Sequence, residues 1–130
     1  MIVADASAVL ELLLNTARGS TVTERVLDPV ETVAAPFLID LEVFQVLRRY
    51  LLSGEIDAVR AQEATTDFAD LPMVRYPHEP LLLRVWELRH NLTAYDAAYV
   101  ALAEALDAPL ITADARLADA PGHGALIELV

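Results

Sequence analysis

The sequence predicts a parallel α/β fold, one sheet covered on both faces by helices, and three observations carry that prediction. Short apolar runs of strand length occur at Met1 to Ala4, Thr32 to Ala35, Met73 to Tyr76, Pro109 to Thr112 and Leu126 to Leu129. Between them the apolar residues recur at helical spacing, so strand and helix alternate along the chain. The segment Ala94 to Leu106 is apolar almost all round, interrupted by Asp96 and Glu104, the pattern of a helix buried on every side.

Each element has its own signal. After the first strand, Val9, Leu10, Leu13 and Leu14 space a helix over Ser7 to Asn15. Ser20 is placed to cap a second helix reaching Leu27, ended by Asp28-Pro29. Pro36 suits the first turn of a long helix to about Leu52, where Gly54 stops it. Ile56, Val59, Ala64 and Phe68, scattered among polar residues, read as a more exposed helix over Glu55 to Leu71. Pro77 breaks the third strand, and a helix from about Glu79 to His90 follows, with Trp86 and Leu82 through Leu88 assigned to core or interface. Thr93 caps the buried helix, and a turn with a short helix occupies Ala113 to Leu117.

Bulk properties narrow the function. A chain of 130 residues fits one domain with a real core. The absence of cysteine excludes disulfides, thiolate zinc sites and thiol nucleophiles, and suits a reducing cytoplasm. The run Met1 to Ala4 stops at Asp5 and Glu11 breaks the next, so neither a signal peptide nor a membrane span is expected. The net charge of −11 argues against tight nonspecific coating of DNA, whereas RNA stays possible once acids that hold a cation are discounted. All nine basic residues are arginine, which removes every mechanism that needs a lysine amine. Arg48 and Arg49 solvate a helix face or touch phosphate, and Gly122 and Gly124 lack any phosphate-cradling motif. His78, His90 and His123 lack metal-ligand spacing and read as surface or loop residues.

The acids carry the chemistry. Asp5 and Asp114 follow the first and fourth strands, at the edge where such sheets bind ligands. Glu42 and Asp96 fall early in helices bordering the same edge, each on or beside an apolar face: Leu38, Leu41 and Val46 for Glu42, Tyr99, Val100 and Ala103 for Asp96. Each also has a bland role. Asp5 and Asp114 suit helix or turn caps, Glu42 suits the positive end of a helix dipole, and Thr93 to Asp96 matches a capping box. Gathered in one place, four carboxylates would repel by roughly 4 kcal/mol per close pair at an effective dielectric near 20. A cation must offset that, and hard oxygen donors favour magnesium or manganese over zinc. The chemistry expected is metal-assisted phosphodiester hydrolysis, with Ser7 and Thr112 as supporting hydroxyls.

In order, Met1-Ile-Val-Ala-Asp5-Ala-Ser7, Pro36 to Glu42, Thr93-Ala-Tyr-Asp96-Ala-Ala-Tyr99-Val-Ala-Leu102-Ala and Leu110-Ile-Thr112-Ala-Asp114-Ala-Arg116-Leu117 resemble the PIN-domain family, and more narrowly its VapC-type toxins. The resemblance spans nearly the whole chain. It implies a three-layer α/β/α fold with a central parallel sheet, and a magnesium- or manganese-dependent ribonuclease site at Asp5, Glu42, Asp96 and Asp114. It also implies a homodimer and a VapB-like antitoxin that masks the site. Gln45 departs from it, standing where many relatives carry asparagine.

Three other readings compete. A receiver domain or aspartyl-phosphate phosphatase also gathers acids at a sheet edge, but the chain has no lysine, and Ser7 stands where the phosphatase pattern wants a second aspartate. A dinucleotide-binding fold wants a glycine fingerprint after the first strand, where Asp-Ala-Ser stands. A catalytically silent binding module, its acids serving only as caps, is the non-enzymatic reading.

Overall fold

The computed structural model describes residues 1–130. Its elements are β1 (Ile2–Ala4), α1 (Ala6–Leu13), α2 (Gly19–Val26), β2 (Val33–Pro36), α3 (Ile39–Ser53), α4 (Ala58–Asp70), β3 (Val74–Tyr76), a 3₁₀ turn (Glu79–Leu81), α5 (Leu82–Glu87), α6 (Ala94–Leu106), β4 (Leu110–Thr112), α7 (Ala115–Ala118) and β5 (Ile127–Leu129). All strand pairs are parallel, in the order β3-β2-β1-β4-β5. The expected central parallel sheet is therefore present.

That order places the site. The chain winds outward from β1 in one direction through β2 and β3, then crosses to β4 and β5 on the other side. With right-handed crossovers, helices of the first half cover one face and those of the second half the other. The packing agrees: α1 meets α2, α3 and α4, whereas α6 lies across β1, β2 and β4 and carries α5. The strand order reverses between β1 and β4, so a crevice opens beyond their carboxyl ends. β1 is buried throughout, with Val3 paired to Ala34 on one side and Leu110 on the other.

The core confirms the reading of α6. Ala97 through Ala103 are all buried, and the four alanines Ala97, Ala98, Ala101 and Ala103 let the helix axis approach the sheet closely. The Thr93 side chain caps it by accepting from the Asp96 N–H, as the capping box requires. Gly54 ends α3 in the left-handed region at φ 80°, where a side chain would be strained. No helix is long and apolar enough to cross a membrane.

Several boundaries differ from expectation. Pro36 does not open α3; it is the last residue of β2, opposite Tyr76, and the ladder is continued by Phe37, whose N–H donates to the Tyr76 carbonyl. A proline ring is tolerated at a strand end, where its neighbour supplies the donor. Ser20 does not cap α2, which starts at Gly19 with no side-chain cap. At Gly19 a Cβ would collide with the Glu11 carbonyl oxygen, so the close approach to α1, and not a hydroxyl, decides where α2 begins. The segment 79–90 is a 3₁₀ turn over Glu79–Leu81 followed by a short helix over Leu82–Glu87. Of the stretch assigned to core or interface, Leu88 is core, whereas Leu83 and Trp86 are 75% and 66% exposed and so are not core. The helix read over Glu55 to Leu71 begins only after the Asp57 cap, with Ala61, Ala64 and Phe68 turned inward.

Candidate metal centre

Asp5 and Thr112 are the only polar residues among the buried positions, and they face each other across β1 and β4. The Thr112 hydroxyl donates to Asp5 Oδ2, the Ser7 hydroxyl donates to Asp5 Oδ1 at 2.6 Å, and the Ala8 N–H donates to the same Oδ1 at 2.9 Å. Ser7 Oγ in turn accepts from the Ala113 N–H at 2.9 Å, and Thr112 Oγ1 accepts from the Asp114 N–H at 3.0 Å. Two short sequence motifs, 105 residues apart at their hydroxyls, are thereby stitched into one loop platform. Ser7 and Thr112 both hydrogen-bond the Asp5 carboxylate directly.

Capping and site geometry coexist. Asp5 caps α1 through Oδ1, and Asp114 caps α7 by accepting from the Arg116 N–H at 2.9 Å. Each cap uses one carboxylate oxygen. In Asp5 the other oxygen is turned to Thr112, and Asp114 stays half-buried beside the same loop.

Glu42 enters from the first turn of α3 on the opposite face of the sheet from α6. Its Oε1 accepts from the Tyr99 hydroxyl at 2.6 Å, so α3 and α6 are tied together over the end of the sheet. Tyr99 was expected as core, and 1% exposure bears that out; its bond to Glu42 was missed. The available signal was chemical: a buried tyrosine hydroxyl needs a partner. His78 was also missed. Its Nε2 accepts from the Leu38 N–H at 2.9 Å and so satisfies one of the orphan donors at the head of α3, just before Glu42.

The electrostatics link all four acids. Burial raises the pKa of Asp5 above its ordinary value, against the lowering bonds from Ser7, Thr112 and Ala8, and the Asp96 charge raises it further. Burial likewise raises Glu42, opposed by the Tyr99 bond and reinforced by Asp5 and Asp96. Asp96 is raised by burial first and by the Asp114 charge second. No arginine or histidine is buried among them. Arg116, 94% exposed, reaches Asp114 at 3.6 Å from the rim. The Tyr99 hydroxyl is held firmly protonated by burial and by Glu42, so it serves as a donor.

As the side chains stand, no three acidic or histidine groups are close enough together to ring an ion. The acids face one another around a crevice. The donor set, all hard carboxylate oxygen with raised proton affinity and no buried counter-charge, is one that suits magnesium or manganese. A cleft of about 460 Å³ leads away from Ser7, Glu42 and Asp114 between α1 and α3. Gln45 lies exposed on α3, one turn beyond Glu42, in a shallow hollow with Leu41 and Tyr95.

Comparison with known proteins identifies the family and the fold. The family model described as PIN domain matches residues 2–122. Ribonuclease VapC1 of Mycobacterium tuberculosis is 47% identical over 130 residues, covering 98% of this chain and 96% of the relative. The solved structure of M. tuberculosis VapC20, a sarcin-ricin loop cleaving toxin, superposes with a TM-score of 0.68 at 17% identity, covering 91% of this chain and 93% of the other. A toxin-antitoxin complex from Klebsiella pneumoniae gives a TM-score of 0.68 at 19% identity, covering 92% of this chain and 91% of the other. A match to the family model over nearly the full length, and a relative this similar, settle the family: the chain belongs to the PIN-domain family, within its VapC group.

Proposed function

We propose that this protein is a divalent-metal-dependent endoribonuclease, the toxin of a toxin-antitoxin pair, working in the cytoplasm. The observation that carries the reading is the mutual charge repulsion that links Asp5, Glu42, Asp96 and Asp114 around the crevice beyond β1 and β4, with no buried basic side chain among them. The names of the VapC relatives support the ribonuclease assignment, and the toxin-antitoxin complex among the structural neighbours supports a VapB-like antitoxin as partner.

In this reading Asp5, Asp96 and Asp114 hold magnesium or manganese, and Glu42 ligates directly or through water. When bound, the cation would supply a water of lowered pKa to displace a ribose oxygen from phosphorus and would offset charge on the phosphoryl oxygens. Asp5 is fixed for its task by Ser7 and Thr112, and Glu42 is aimed by Tyr99. The exposed apolar side chains Leu41, Leu82 and Tyr95, which line adjoining hollows, supply a face for the homodimer.

The test is direct. Purified protein should cleave single-stranded or structured RNA with magnesium or manganese, and lose that activity in chelator. Undiminished cleavage in chelator would sink the metal assignment. A catalytically silent binding module is the competing reading, favoured by the caps that Asp5 and Asp114 form; absence of cleavage with either metal on every RNA offered would favour it.

Tyr99→Phe probes the support of Glu42. Losing a partner of a ligating carboxylate typically costs about 10- to 100-fold in metal affinity or activity. The buried ring remains, so we expect a loss in that range together with a destabilisation of about 1–2 kcal/mol. Metal titration of cleavage, read beside a denaturant melt, checks both.

A further inference from the structure

We propose that Arg49 binds a phosphate of the RNA strand next to the scissile one, so that the cleft between α1 and α3 is the track of the substrate. The inference rests on the ribonuclease reading above and deepens it.

The cleft has Glu42 and Asp114 at one end and Arg49 with Tyr50 at the other. Glu42, Val46 and Arg49 follow one stripe of α3, at steps of four and three residues. Seven residues at about 1.5 Å rise put Arg49 roughly 10 Å along the axis from Glu42, within reach of a neighbouring phosphate.

The charges single Arg49 out. Arg25, Arg60, Arg75, Arg84 and Arg116 each have a carboxylate partner. Arg49 has none; its guanidinium lies over the Tyr50 ring, 5.5 Å from the centroid. Arg18 has none either; it donates to the Ala113 carbonyl at 3.5 Å, one residue from Asp114. Arg18, Arg48 and Arg89 thus also lack a carboxylate partner, but of the four only Arg49 lines this cleft. Glu11 is the opposing charge on the α1 wall, and its carboxylate is engaged by the Thr16 hydroxyl. In a chain of net charge −11, a guanidinium group without a carboxylate, lining a cleft that leads from an acidic centre, matches a phosphate-bearing ligand. Tyr50 adds an aromatic surface on which a base can stack.

The experiment measures binding and turnover separately, using single-stranded oligoribonucleotides. Binding is followed against salt with manganese, in an Asp96→Asn background that does not consume the RNA. One phosphate contact to a single strand accounts for about 0.7 in the slope of log affinity against log salt. Arg49→Gln should reduce the slope by about that amount and weaken binding roughly tenfold. In the otherwise native protein it should raise KM by a similar factor, with the larger part of the loss in KM and not in kcat. Arg49→Lys should restore the slope, since it restores the charge. Arg48→Gln, in a hollow with Phe44 and Leu51, is the control and should leave the slope as it was.

An unchanged slope in Arg49→Gln, or an equal change in Arg48→Gln, overturns the inference while cleavage by the native protein leaves the ribonuclease reading intact. If the native protein neither binds nor cleaves RNA, both fall together.

Discussion

Replacing Asp96 by asparagine should slow RNA cleavage by roughly a thousandfold or more, equivalent to about 4 kcal/mol of barrier. The substitution keeps shape and removes one charge from a site whose only role for that side chain is electrostatic. The Thr93 cap accepts from the backbone N–H of Asp96, a bond that asparagine retains, so the helix start survives the change. α6 stays in place because Ala97 through Ala103 hold it. The measurement is single-turnover cleavage at saturating manganese. Native rates in the Asp96→Asn protein, with contaminating nuclease excluded by a mock purification, would remove Asp96 from the mechanism.

Manganese should raise the melting temperature at neutral pH by roughly 10 °C when present at about a hundredfold over its dissociation constant, the equivalent of about 2.7 kcal/mol. The sign follows from the acids. Asp5, Glu42 and Asp96 bind protons more tightly in the folded chain than their ordinary values of 3.8, 4.5 and 3.8. Their stabilising contribution is fully present below those values and is lost as pH rises through the raised ones. Without metal, neutral pH therefore carries the full cost of gathering them. Glu104, lowered chiefly by its bond to Arg84, works the other way and gives up stability as pH falls. Two consequences separate this account from a merely structural one. The gain from manganese shrinks on acidification, because protons compete for the same oxygens, and Asp96→Asn melts above the native chain when metal is absent. A melting temperature indifferent to manganese, combined with an Asp96→Asn protein that melts lower, would contradict it.

Local physics explains which parts could be read from the sequence. α6 was legible from Ala94 to Leu106 because an all-apolar helix with a threonine cap leaves few alternatives. Asp5 and Asp114 were legible as residues at strand ends, and so were Ser7 and Thr112 as hydroxyls beside them. What linear spacing could not supply was anything fixed by distant packing. The start of α2 depends on the Glu11 backbone, the start of α3 depends on His78 from beyond β3, and the Tyr99 bond to Glu42 spans 57 residues. Pro36 was misread for the same reason, since a proline at a strand end and a proline opening a helix look alike until Tyr76 is known to lie beside it.

The alanines on the sheet-facing helix leave the molecule little mutational slack at its working end. Because α6 packs against β1, β2 and β4, a methyl group enlarged at the buried Ala97 or Ala101 has nowhere to go except into a displacement of the whole rod. Such a displacement carries Asp96 and Tyr99 with it while Asp5 stays anchored in the central strand. Drift in this stretch of sequence would therefore erode catalysis earlier than it erodes folding, and the tolerance of the two should part company there.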